Sequence, residues 1–206
     1  MEFETSSSSE TEKIQESLVS ETTIEANYHQ VHAKNDNSPV TIADWSVQAI
    51  VSWILSEAFG IENVSIVAEE DVEVLLKAGS AGLLENVVKT ANKCVAKAPL
   101  FGLNAPARAL NTREVLDAIS RCNSSGGRSG RFWVLDPVDG TLGFVCGNQY
   151  AIALALIEDG EPVIGVLGCP NYPMKKEWLS YQNGYRRILS RLASPTSETR
   201  AKGSVI

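Results

Sequence analysis

Carboxylates recur at three stations along this sequence, each where an apolar stretch gives way to a turn. The first is Asp44, which closes the run Ser38-Pro39-Val40-Thr41-Ile42-Ala43; the second is Glu69-Glu70-Asp71; the third is Asp136-Pro137-Val138-Asp139-Gly140-Thr141. Oxygen donors of this kind suit a hard cation, since Mg²⁺ takes a few carboxylates and fills its shell with water, a carbonyl or a substrate phosphate. Phe132 to Leu135 have the length and bulk of a buried strand, and Pro137, which cannot donate to a ladder, predicts that the strand stops at Asp136. Gly140 permits a sharp turn, so Asp136 and Asp139 can converge where the chain leaves the sheet, with the Val138 carbonyl beside them.

Other chemistries fit parts of the same stretches. Asp136-Pro137 and Asp139-Gly140 are also ordinary turn dipeptides. An apolar strand followed by Asp-x-Asp-Gly-Thr would mark a phosphatase with an aspartyl-phosphate nucleophile; the spacing here is Asp-x-x-Asp-Gly-Thr, and the added residue re-aims the second carboxylate toward a metal pair and an activated water. Taken alone, Asp44 reads as a helix cap, because Thr41-x-x-Asp44 has the form of a capping box. Glu69 to Asp71 alone read as a solvated charge run, and at most one of Glu69 and Glu70 aims into a shared site, since neighbours on an extended chain face opposite ways.

The elements that must position these stations are legible from periodicity. Val47, Ile50, Val51, Ile54 and Ala58 predict a helix over 44–59 that buries one face. Ile61 to Val67 form a β-favouring run, and Leu84, Val87, Val88, Ala91, Val95 and Ala98 predict a second amphipathic helix over 83–98. After a loop bracketed by Pro99 and Pro106, Asn111 caps a helix over 112–122 with Glu114 in the capping-box position. Residues 123–131 are glycine-rich but lack the Gly-Lys-Ser/Thr ending of a phosphate loop and precede a strand, which makes them a connector. Gln149–Ile157 and Pro162–Gly168, joined through Asp159-Gly160, predict a hairpin beside the strand that carries Asp136.

With 206 residues, 44% hydrophobic and 21% charged, the chain can bury a core as one domain. No stretch reaches the about 18 apolar residues of a membrane span. Neither a secretory signal nor an Arg-rich transit peptide is recognisable, so an intracellular soluble protein without a membrane partner is expected. Cys94, Cys122, Cys146 and Cys169 lack C-x-x-C spacing and read as reduced core thiols. Residues 1–27 carry a net charge of −6 and residues 175–206 a net +5, leaving −6 between them, which argues against nucleic acid as a partner and suits a carboxylate site that expects cations. The expected organisation is a mostly disordered acidic segment 1–27 with a short helix over 13–27, a metal-binding domain over 28–170, and an irregular basic segment 171–206 with at most a short strand at its very end. His29 and His32, three apart, could share a helix face as ligands; with no third His or Cys nearby they read as surface histidines.

The order of the stations, S-P-V-T-I-A-D to Asp44, V-A-E-E-D around Glu69, and W-V-L-D-P-V-D-G-T followed by L-G-F and Q-Y-A-I-A-L-A-L, resembles the Li⁺-sensitive, Mg²⁺-dependent phosphatases of the inositol monophosphatase superfamily, within it the plant-type 3'(2'),5'-bisphosphate nucleotidases. That resemblance implies an α+β fold: a layered α/β sandwich of the sugar phosphatase type with a mixed, largely antiparallel sheet flanked by helices, of which this chain carries the N-terminal half. By position it implies that Glu69, Asp136, the Val138 carbonyl and Asp139 bind Mg²⁺, with Asp136 bridging two ions. Asp44 and Thr141 would activate the attacking water, and the N–H groups of Gly140 and Thr141 would hold the phosphate where a short helix begins. The implied reaction releases the 3'-phosphate of adenosine 3',5'-bisphosphate (PAP), with PAPS as a further nucleotide; the alternatives are an inositol phosphate phosphatase and a shortened, non-catalytic relative that binds metal or a partner. Two features depart from the pattern. A later W-D-x-A-A-G type motif is absent, and Cys146 and Asn148 stand where related sequences have the Arg and Asp of R-G-D-Q-Y, which weakens the expected hold on an anionic substrate.

Overall fold

The computed structural model describes residues 31–33 and 39–172. The chain divides into two compact units, Met1–Pro170 and Asn171–Ile206, and the fold is that of the first. The expected disorder at the start, the helix over 13–27, His29 and the terminal strand lie outside the described residues.

Helix α1, Ile42–Phe59, is the axis. Its N-cap is Thr41, whose side chain and the Asp44 carboxylate close the capping box expected from their spacing. Contrary to the single buried face predicted from its apolar stripe, residues 42–52 are buried on every side, Ser46, Gln48 and Ser52 included. The reason lies in the other positions of the helix. Ala43, Ser46, Ala49 and Ser52 are small and uncharged, so helices α3 (Ala81–Val95) and α4 (Thr112–Ser120) pack on one side while strand β4 (Arg131–Asp139) packs on the other. Val47, Val51 and Leu55 meet Val87, Ala91 and Val115 in one core with Trp133 and Leu135. Each buried Leu or Val of this kind contributes about 2 kcal/mol.

The main sheet runs in the order β3-β4-β5-β6, with β3 Ile66–Ala68, β5 Ala151–Glu158 and β6 Glu161–Gly168. β3 is parallel to β4, and the β4, β5 and β6 pairings are antiparallel, so the sheet is mixed and largely antiparallel as expected. Ile152, Leu154 and Leu156 alternate with less buried neighbours and join the core. The hairpin turn has positive φ at both Asp159 and Gly160 (48° and 85°), the backbone sense that matches the twist of the flanking strands. A two-stranded ladder, β1 (Val31–Ala33) with β2 (Pro39–Thr41), leads into α1.

Several elements differ from expectation for local reasons. Ile61–Asn63 is a 3₁₀ turn after Gly60, leaving only Ile66–Ala68 as strand. The helix predicted to reach residue 98 stops at Val95, and a second 3₁₀ turn, Ala98–Phe101, takes up Pro99 near its start. A short helix, α2 (Glu73–Leu76), begins where the Asp71 carboxylate accepts a hydrogen bond from Glu73 N (2.7 Å). The connector 123–131 is tied to β3, with Ser124 N donating to Ile66 O (2.9 Å) and Asn123 bridging Val67. Of the cysteines expected as core thiols, Cys122 is buried in the core, Cys94 packs at its margin, Cys169 is half-buried and Cys146 is exposed. His32 lies in β1, edge-on to Trp45, and not on a helix.

Candidate active site

Strand β4 does not end at Asp136. It continues through Pro137 and Val138 to Asp139, and the register with β5 slips on the way: Asp136 pairs with Ala153, but Asp139 pairs with Ala151. Three steps on β4 therefore match two on β5, which is a β-bulge of one residue. Pro137 is tolerated there because the ladder is interrupted at that point. The bulge has a chemical effect. Residues three apart on a regular strand face opposite ways, whereas Ala151 and Ala153, two apart, share a face; their partners Asp139 and Asp136 consequently share that face as well.

Beyond the bulge the chain turns at Gly140, whose φ of 87° lies in the left-handed region, and starts the short helix α5, Thr141–Val145. Gly143 in this helix is required sterically, since a Cβ there would lie 2.2 Å from the Gln149 carbonyl oxygen. Thr141 Oγ1 donates to the Val138 carbonyl (3.1 Å), so the hydroxyl and carbonyl expected to act at the site are adjacent. A small apolar cluster of Ala43, Val138, Phe144 and Tyr150 joins the head of α1 to the bulge and α5. Ala43 precedes Asp44, so this packing brings the Asp44 end of the central helix to the strand of Asp136 and Asp139.

Asp44 is buried, and its Oδ2 accepts from both Thr41 N (2.8 Å) and Thr41 Oγ1 (2.7 Å). The residue is thus cap and oriented carboxylate at once, and Thr41 is the residue that orients it, as the capping-box spacing already contained. Glu69 is exposed and directly follows Ala68, the last residue of β3, whose partner Leu135 in the parallel ladder directly precedes Asp136. Glu70 is buried, so the two glutamates do face opposite environments.

The electrostatics record the convergence. Partial burial, then the charges of Asp139 and Glu69, push the Asp136 carboxyl up to about 6; a hydrogen bond from the Val138 backbone opposes them, and the charge of Asp44 adds the smallest push. Acids 92 residues apart in sequence, Asp44 and Asp136, act on one another. The thiol of Cys169, just after β6, is also raised, by burial and by Asp139, which adds a neighbour that no motif signalled. Among the described residues, no three His, Cys, Asp or Glu side chains are grouped closely enough to hold a metal ion by themselves. What the bulge brings together is two carboxylates and a carbonyl, with Glu69 and Asp44 acting at longer range; this is a donor set that fits Mg²⁺, which usually keeps water and substrate oxygens in its shell.

The family model described as the inositol monophosphatase family matches residues 36–205. The chain belongs to the inositol monophosphatase family. As a member of it, the chain is 62% identical over 150 residues to the 3',5'-bisphosphate nucleotidase AHL of Arabidopsis thaliana, covering 73% of this chain and 40% of that protein. It is 47% identical over 144 residues to the 3'(2'),5'-bisphosphate nucleotidase 1 of the same plant, and 46% identical over 142 residues to the 3'(2'),5'-bisphosphate nucleotidase of Oryza sativa, covering 70% and 68% of this chain. This inositol monophosphatase family chain spans about two fifths of the length of these relatives, at 40%, 40% and 38%. No helix among its described residues is long and apolar enough to cross a membrane.

Proposed function

We propose that this chain belongs to a Mg²⁺-dependent phosphomonoesterase that removes the 3'-phosphate of adenosine 3',5'-bisphosphate to give AMP and phosphate. The single observation that carries the reading is the bulge in β4, which turns Asp136 and Asp139 to one face of the sheet beside the Val138 carbonyl. A patch of like charges that a fold assembles at a strand bulge has its repulsion relieved by a cation. The names of the plant relatives support the nucleotide substrate.

In this reading Asp136, Asp139 and the Val138 carbonyl hold Mg²⁺, and Glu69 completes the protein donors. Such an ion, when bound, would neutralise the phosphate and lower the pKa of a water at the site. The chain's own residues do the rest. Gly140 and Thr141 N–H groups at the exposed turn receive the phosphate oxygens. Thr141, oriented by its bond to Val138, retains acceptor lone pairs for the proton of the attacking water. For the proton count to balance, the Thr141 hydroxyl would leave the Val138 carbonyl and release its own proton to Asp44, whose carboxylate Thr41 fixes, as it accepts one from the water. PAPS is a further substrate of the same chemistry.

The test is phosphate release by the purified chain from adenosine 3',5'-bisphosphate, titrated with Mg²⁺ and repeated with Li⁺. Mg²⁺-dependent release inhibited by Li⁺ is expected, and greater turnover of inositol phosphates in direct competition would move the substrate. The ungrouped ligating side chains favour a second reading, a non-catalytic relative that binds metal or a partner. Absence of release at every Mg²⁺ concentration would decide for it.

A further inference from the structure

The buried face of α1 that carries Asp44 also carries a fully buried amide, Gln48, one helical turn further along. Its Nε2 donates to the Glu70 carbonyl (2.7 Å) and its Oε1 accepts from Glu70 N (3.0 Å). This is the two-way exchange that a strand neighbour would make, supplied by a side chain at a place where β3 has already ended at Ala68. Nε2 also donates to the Ile119 carbonyl near the end of α4 (3.2 Å), so both donors of the amide and one acceptor position are directed at backbone. Three residues before Gln48, on the same side of the helix, Trp45 Nε1 donates to the Asp71 carbonyl (2.9 Å). A helix that needed only to be stable would carry an apolar residue at a fully buried position, since an amide there is tolerated only when fully bonded.

We propose that Gln48 and Trp45 are positioning residues that clamp the Glu69-Glu70-Asp71 segment to the helix bearing Asp44, and so hold Glu69 at the cation site. The inference rests on the reading that Glu69 and Asp136 serve a common cation. Asp44 and Gln48 are one turn apart on α1, a rise of about 6 Å, so the same rigid rod sets the place of the carboxylate and of the segment next to Glu69. Glu69 has no strand register of its own beyond Ala68; the clamp on the following residue takes that role. Outer partners of this kind typically change metal affinity by about ten- to a hundredfold when removed.

The experiment is a double-mutant cycle on the full chain, with Mn²⁺ alone as the probe. Binding is followed by loss of the free Mn²⁺ paramagnetic resonance signal, and stability by urea unfolding without metal. Glu69→Gln is expected to weaken Mn²⁺ binding, and Gln48→Met, similar in length but without the amide, to weaken it about tenfold or more. In the Glu69→Gln background Gln48→Met should weaken Mn²⁺ binding no further, while its loss of stability persists unchanged. A purely structural glutamine would not couple in this way. Mn²⁺ affinity unaltered by Gln48→Met, or lowered equally in both backgrounds, overturns the clamp and leaves the cation site standing. Mn²⁺ affinity indifferent to both Glu69→Gln and Asp136→Asn removes the site itself and the clamp with it. Should Gln48→Met fail to fold, Trp45→Phe, which removes the indole donor to Asp71 together with part of the buried ring, completes the same cycle with the same expectation.

Discussion

Replacing Asp136 with Asn should make the metal-free protein more stable at neutral pH, although it removes a residue on which the proposed chemistry depends. In the folded chain the Asp136 carboxyl titrates near 6, raised from an ordinary 3.8 by burial and by three neighbouring acids. Below about pH 4 the group is protonated whether the chain is folded or not, and it makes no difference. Between about 4 and 6 the folded state binds more protons than the unfolded state, so stability falls as pH rises through that window and the full penalty is in place above it. A shift of about two units corresponds to about 3 kcal/mol; screening of this half-exposed group by solvent brings the expected penalty down to about 1–2 kcal/mol. Asn carries no charge and keeps an oxygen for the Val138 N–H. Urea unfolding followed by tryptophan fluorescence in a chelator should therefore give matching stabilities at pH 4 and a variant about 1–2 kcal/mol more stable at pH 7.5. Mg²⁺ should reverse the order by stabilising the parent chain, by about 2.7 kcal/mol at a hundred times its dissociation constant, and not the variant. A variant no more stable than the parent at pH 7.5, when the two agree at pH 4, would refute the convergence of charge on Asp136.

Asp44→Asn should abolish Mg²⁺-dependent phosphate release, and because Asn can still accept one bond from Thr41, unfolding should shift by no more than about 1 kcal/mol, read by urea titration. Gly143→Ala places a methyl group against the Gln149 carbonyl, and should destabilise the chain by about 2 kcal/mol or more while displacing α5, detectable as weakened Mn²⁺ binding. Cys122, whose thiol burial pushes up to about 11, should react with a disulfide reagent only on unfolding, whereas exposed Cys146 should react at once in the native protein.

The helices with capping boxes were the most legible parts of the fold, because Thr41 with Asp44 and Asn111 with Glu114 announce their own starts. The Asp159-Gly160 hairpin was equally plain, since its turn chemistry is local. What could not be read was how tightly α1 is enclosed: apolar spacing marks one stripe, and only the packing of α3, α4 and β4 shows that the small residues between are buried too. The same limit applied at the third acidic station. Pro137 was read as the end of a strand, but a bulge gives a proline a place within the strand, and bulges depend on the neighbouring strand's register. Of the site residues expected from the sequence, Asp136, Asp139, Val138, Gly140 and Thr141 are contiguous and arrive as one local unit. Asp44 and Glu69 reach it only through tertiary contacts, the apolar cluster at the head of α1 and the parallel pairing of β3 with β4.

That strand carries a tolerance rule of an uncommon kind. The two acids lie three steps apart and share a face only because β5 takes two steps opposite them, so one residue added between Ala151 and Ala153 would restore regular pairing and swing Asp139 to the far side of the sheet. Gene variants that gain one triplet in that stretch of β5 should be inactive however mild the added residue looks. Designers grafting this pair of acids onto another sheet would need to transplant the irregularity along with them.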